Sequence, residues 1–106
     1  MPLETKTIAL PRLNGLYPTM ESTALKLMEE TGELSKAIGR YQESKDSGGG
    51  HDDGEGLMRV TRELLDVAQT PITMMFVLEE QYGVDLNESL SLHLEKLIEK
   101  GYLHLE

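Results

Sequence analysis

The chain of 106 residues contains no cysteine. That excludes disulfides, thiolate nucleophiles and cysteine-based zinc sites. It also lacks tryptophan and has a single phenylalanine. Core volume must therefore come from Leu, Ile, Val, Met and Tyr. Basic residues are scarce: 10 Lys and Arg stand against 19 Asp and Glu, a formal net charge of −9. Nonspecific nucleic-acid binding is disfavoured, because backbone phosphates demand clustered positive charge. An acidic protein can still hold a polyphosphate where metal ions bridge the two negative partners. No apolar run approaches the roughly 20 residues that span a bilayer. The first residues lack a continuous apolar signal segment. A soluble, cytoplasmic protein is expected.

The length suits one small domain. Three of the four prolines fall in residues 1–18, which predicts an irregular N-terminal arm. Leu3, Ile8, Leu10, Leu13, Leu16 and Tyr17 are too apolar for a free tail. The arm is expected to pack on the body or on a neighbouring subunit. A helical domain is expected over 19–106. Its first helix begins after Thr19, a suitable N-cap, and runs to about Tyr41. Ala24, Leu27, Met28, Thr31, Leu34, Ile38 and Tyr41 follow helical spacing and form its predicted buried stripe. Residues 43–56 read as a flexible, glycine-rich loop. A second helix is predicted from about Leu57 to Gln81, bent at Pro71. Leu57, Val60, Leu64, Val67, Ala68, Ile72, Met75 and Leu78 or Val77 make its core face. Asp85 caps a third, shorter helix that ends near Gly101. No strand signal competes. The expected fold is all-α: a long antiparallel helix pair plus a shorter C-terminal helix. Two helices cannot cover both stripes, so oligomerisation is expected to complete the core.

The chemistry resides in two acidic half-motifs, Glu29-Glu30-Thr31-Gly32-Glu33-Leu34 and Glu63-Leu64-Leu65-Asp66-Val67. In each, two carboxylates three residues apart project from one side of a helix, roughly 60° apart. With the stripes facing each other, Glu30, Glu33, Glu63 and Asp66 converge at the groove edge. Such a box is unstable without hard divalent cations, which favours Mg²⁺ or Mn²⁺ over zinc. Spacing alone is weak evidence in so acidic a chain, where solvated surface carboxylates are the ordinary outcome. The wider pattern is more specific: EETGEL after an amphipathic run, a loop, then ELLDVAQ on the next helix.

Over about residues 20–100 the chain resembles the MazG-type all-α nucleoside triphosphate pyrophosphohydrolases, marked by EExxE on one helix and ExxD on the next. The resemblance implies Glu30, Glu33, Glu63 and Asp66 as metal ligands and Glu29 as a nearby positioning carboxylate. It implies Mg²⁺-dependent hydrolysis of (d)NTP to (d)NMP and pyrophosphate, as in removal of non-canonical nucleotides. It also implies a homodimer or homotetramer with a four-helix bundle formed between chains. Glu29 or Glu33 would orient or deprotonate the attacking water. Two other readings stand beside it. One is a phosphoribosyl-ATP or dUTP/dCTP-specific enzyme of the same superfamily. The other is a non-catalytic helical oligomerisation or regulatory module. Many relatives also carry K-x-x-x-N-x-x-R near the end. Here Lys96 fits, but Lys100 and Leu103 occupy the Asn and Arg positions, which leaves the base and sugar unread.

Phosphate contacts need cations besides metal. Lys26 and Lys36 flank the first half-motif, and Arg59 and Arg62 precede the second. Lys36, Arg59 and Lys96 are the substrate-binding candidates. His51 reads as a solvated loop residue, and His93 and His104 as surface residues. Met74, Met75, Tyr41 and Tyr82 read as packing residues, though Met can line an adaptable base pocket.

Overall fold

In the computed structural model, residues 3–46 and 53–105 are described. Three helices follow an irregular arm: α1, Met20–Asp46; α2, Asp53–Tyr82; and α3, Leu86–Glu99. Among the described residues there is no strand, so the all-α expectation holds for this chain. No helix among them is long and apolar enough to cross a membrane.

The start of α1 and both ends of α3 have local causes. At the start of α1 the Ser22 amide donates to Thr19 Oγ1 at 3.0 Å, and the Thr19 amide donates to Ser22 Oγ at 2.9 Å. This reciprocal cap satisfies two amides that have no helical partner. At α3 the Glu88 amide donates to Asp85 Oδ1 at 3.1 Å. Its end is closed by Gly101 at φ +79, with Gly101 N–H on the Ile98 carbonyl and Tyr102 N–H on Leu97, each at 3.0 Å. Only glycine takes that left-handed position without strain.

α1 and α2 extend further than the sequence pattern predicts. Glu43–Asp46 continue α1, and Asp53–Gly56 open α2. A polar composition is compatible with a solvated helix end, so glycine and charge do not by themselves end a helix that is already propagating. The middle of the predicted glycine-rich loop, with His51, lies outside the described residues. α2 continues through Pro71 as one element. The ring removes the amide that would donate to the Val67 carbonyl.

α1 and α2 pack as a pair, and the buried seam is offset from the predicted stripes. Thr23, Glu30 and Ala37 are buried, with Leu27, Leu34, Tyr41 and Ser44 half-buried between and after them. The spacing alternates four and three, as in a coiled-coil seam. On α2 the matching positions are Gly56, Val60, Glu63, Val67, Thr70, Met74 and Val77. A methyl on Gly56 would meet Tyr41 Cδ1 at 3.0 Å, so the Tyr41 ring packs against the bare backbone of residue 56. Ala24, Met28, Thr31 and Ile38 on α1, and Leu57, Leu64 and Met75 on α2, were expected inside and are exposed. Each helix carries two adjacent apolar seams, and periodicity merges them into one wide stripe. The pair uses the seam richer in small and polar residues and leaves the larger apolar residues outward.

The arm runs back along α2. Arg12 forms an ion pair with Glu80, and its guanidinium lies 4.5 Å from the Phe76 ring centroid. The Pro11 carbonyl accepts from Gln69 Nε2 at 2.9 Å.

Candidate metal centre and adjoining cavity

The two half-motifs face each other because α1 and α2 are antiparallel and both carry acidic residues in or beside the seam. Glu30 occupies a seam position and is 8% exposed. Glu63 occupies the seam of α2, half-buried, and Asp66 lies one turn further on the same side, exposed. One carboxylate oxygen from each of Glu30, Glu63 and Asp66 falls within 4.8 Å of the other two.

Three like charges at this separation repel, and the cluster has little internal compensation. Lys26 Nζ lies 3.0 Å from Glu30 and 3.5 Å from Glu29. The hydrogen bond to Glu30, then the charges of Glu29 and Glu30, raise the Lys26 pKa above its usual 10.5, so the ammonium stays protonated. Among the described residues no ion pair or hydrogen bond reaches the side chain of Glu63 or Asp66. One shared lysine against three carboxylates leaves an excess of negative charge. The donor set fits a hard divalent ion: all ligands are oxygens, and two of the three groups have no competing partner. Two oxygens bound to Mg²⁺ at about 2.1 Å lie at most about 4.2 Å apart. The observed cluster is thus within a small side-chain adjustment of such a site.

The remaining candidates lie around this group. Glu33 is outside it; its side chain is half-exposed and sits 3.9 Å from Lys36 Nζ. Glu29 is exposed and shares Lys26. Arg59 pairs with Glu55 at 3.6 Å, one turn back along α2. Lys96 lies on the exposed α3.

A cavity of about 550 Å³ adjoins the cluster and includes Glu30 and Asp66 in its lining. Lys26, Ser22 and Thr23 come from α1, Gln69, Thr70 and Thr73 from α2, and Leu13, Leu16, Tyr17 and Pro18 from the arm. Lys36, Arg59 and Lys96 are not in this lining. The sequence reading passed over Gln69, Thr70 and Thr73 as site residues. A signal was present: Gln69 follows Asp66 by three and Thr70 by four, so both share its side of the helix.

A family model for the MazG nucleotide pyrophosphohydrolase domain matches residues 18–101. The chain belongs to that family. Comparison with curated proteins and with solved structures gave no significant match. The MazG match spans both acidic half-motifs and all three helices. It begins at residue 18, so Leu13, Leu16 and Tyr17, which line the cavity, precede the matched residues.

Proposed function

We propose that this MazG protein is a Mg²⁺-dependent nucleotide pyrophosphohydrolase that converts a (d)NTP and water into a (d)NMP and pyrophosphate. The observation that carries the reading is the convergence of Glu30, Glu63 and Asp66 beside a cavity of nucleotide size. Glu30, Glu63 and Asp66 would hold the metal, with Glu33 joining them after leaving Lys36. Bound Mg²⁺ would supply charge neutralisation at the phosphates and a more acidic water. The chain's own groups do the rest. Glu29 or Glu33 orients the attacking water and accepts its proton, which passes to solvent. Lys26, protonated and already against the cluster, contacts a phosphate oxygen as the substrate enters. Lys36 and Arg59 are held only by surface ion pairs, which contribute little and release readily. They are the next cations available to the departing pyrophosphate. Lys96 acts only where α3 of another copy is brought across the site. The protein works as a homo-oligomer whose second apolar seams complete a four-helix bundle. Removal of non-canonical nucleotides is the role that fits such an activity.

The test is pyrophosphate release from a panel of canonical and modified dNTPs, with and without Mg²⁺. Release that needs Mg²⁺, and that falls at least about a hundredfold in Glu63→Ala or Asp66→Ala, supports the reading. Unchanged activity in those variants overturns the site assignment. A wild-type protein that neither binds Mn²⁺ nor releases pyrophosphate is instead a helical oligomerisation module.

A further inference from the structure

The cavity beside the cluster has a lining of two chemically different kinds. The helices contribute Glu30, Asp66 and Lys26 to its lining, and the arm contributes Leu13, Leu16 and Pro18. Charged phosphates belong beside the charged groups and a flat, largely apolar group beside the arm residues. The volume of about 550 Å³ falls in the range of small-molecule sites, roughly 300–1,000 Å³. Tyr17 lines this cavity and is 97% exposed, so its ring has an open face on which a base can stack.

We propose that this cavity seats the nucleoside of the substrate, and that Arg12 is a positioning residue that holds the arm in place as its wall. The choice of a nucleotide as occupant rests on the pyrophosphohydrolase reading. The arm has no helix or strand of its own among the described residues. It is tied to α2 just ahead of the lining residues, by Arg12 on Glu80 and Phe76 and by the Pro11 carbonyl on Gln69. Planar guanidinium stacked on a ring and paired with a carboxylate orients as well as attracts. Without Arg12, Leu13 and Leu16 lose the nearer of their two anchors.

Gln69 adds selectivity. The Pro11 carbonyl can only accept, so the amide nitrogen must face it. The same nitrogen donates to Thr73 Oγ1 at 3.3 Å. Both amide hydrogens are then used, and the carbonyl oxygen has no protein partner among the described residues. Gln69 therefore offers an acceptor to an amine or N–H on the base edge.

The experiment combines steady-state pyrophosphate release with calorimetric titration of a non-hydrolysable α,β-methylene dNTP. Inorganic pyrophosphate serves as a probe without a nucleoside. Arg12→Ala is expected to raise KM and the analogue's Kd about tenfold, with kcat within about twofold and pyrophosphate binding unchanged. Arg12→Lys recovers part of the loss, and Arg12→Glu combined with Glu80→Arg restores the ion pair and recovers part as well. Gln69→Leu shifts the ratio of kcat/KM between bases. An unchanged analogue Kd in Arg12→Ala overturns the proposal, as does an equal loss of pyrophosphate affinity. Failure of the enzyme reading looks different: the wild type releases no pyrophosphate from any nucleotide. The analogue Kd of wild type against Arg12→Ala then still decides the cavity's role.

Discussion

Glu30, buried at 8% exposure, relies on Lys26 for its only ion-pair partner among the described residues. Removing a partner from a buried charge costs more than the pair contributed, because the remaining charge stays desolvated. Lys26→Met is therefore expected to tighten Mg²⁺ binding, since the metal no longer displaces an ammonium, while weakening nucleotide binding. Calorimetry with each ligand separately checks both signs. The pH behaviour follows from the raised Lys26 pKa. A group whose folded pKa is raised contributes fully below its unfolded value, here 10.5, and loses that contribution as pH climbs through the folded value. The stability difference between wild type and Lys26→Met should thus be flat from about pH 6 to about pH 9. It should narrow only in strongly alkaline solution, as read by denaturant midpoints across pH. Convergence of Glu30, Glu63 and Asp66 was legible in the sequence because three-residue spacing keeps two carboxylates on one side. The place of Glu33 was not. Glu30 and Glu33 differ by about 60° around the helix, and only the location of the seam decides which of them faces α2. With Leu27, Glu30 and Leu34 in that seam, Glu33 falls just outside it.

The helix pair exposes two further differences at the scale of elements. Capping was readable: Thr19 and Asp85 both act as the sequence suggests, since their side chains satisfy amides that no carbonyl can reach. Thr19→Ala should lower stability by about 1 kcal/mol, measured by urea unfolding. Gly39 and Gly56 separate helix propensity from packing. Nothing lies within 4 Å of a methyl built on Gly39, whereas one on Gly56 meets Tyr41 at 3.0 Å. Gly39→Ala should stabilise by about 0.5–1 kcal/mol. Gly56→Ala should forfeit that gain, because the added methyl crowds the Tyr41 ring and makes it shift by a few tenths of an ångström. Equal gains at both positions would mean that the pair does not approach as closely as Gly56 implies. The buried seam itself was hidden from the sequence. Thr23, Thr70 and Thr73 are buried, yet hydrophobic periodicity selects their more apolar neighbours, such as Ala24 and Ile72, instead. Where a helix has two apolar faces, its pattern alone does not say which is used first.

At the scale of the whole molecule, the protomer leaves many large apolar residues exposed to water. Its radius of gyration is 17.5 Å, with extents of 50 × 43 × 21 Å. A compact domain of this length has about 13 Å. Met28 is 71% exposed, Leu64 51% and Met75 40%, and these lie on the unused seams of α1 and α2. α3 has no buried residue, and its Leu90, Leu94 and Ile98 also face outward. Apolar residues exposed along two helices are what a docking surface would present. Pairing the second seams of two copies would bury those residues and close a bundle while leaving Glu30 and Glu63 in the first seam. The expected outcome is sedimentation at a multiple of the protomer mass. Leu64→Asp combined with Met28→Asp should shift the protein toward the protomer, because a dissociated carboxylate returns to water at little cost whereas a buried one does not. If α1 and α2 also support each other through that interface, the dissociated form should melt at lower temperature and lose pyrophosphate release. Far-ultraviolet circular dichroism separates dissociation from unfolding. A wild-type protein that sediments as a single chain would instead assign the exposed seams to a different partner.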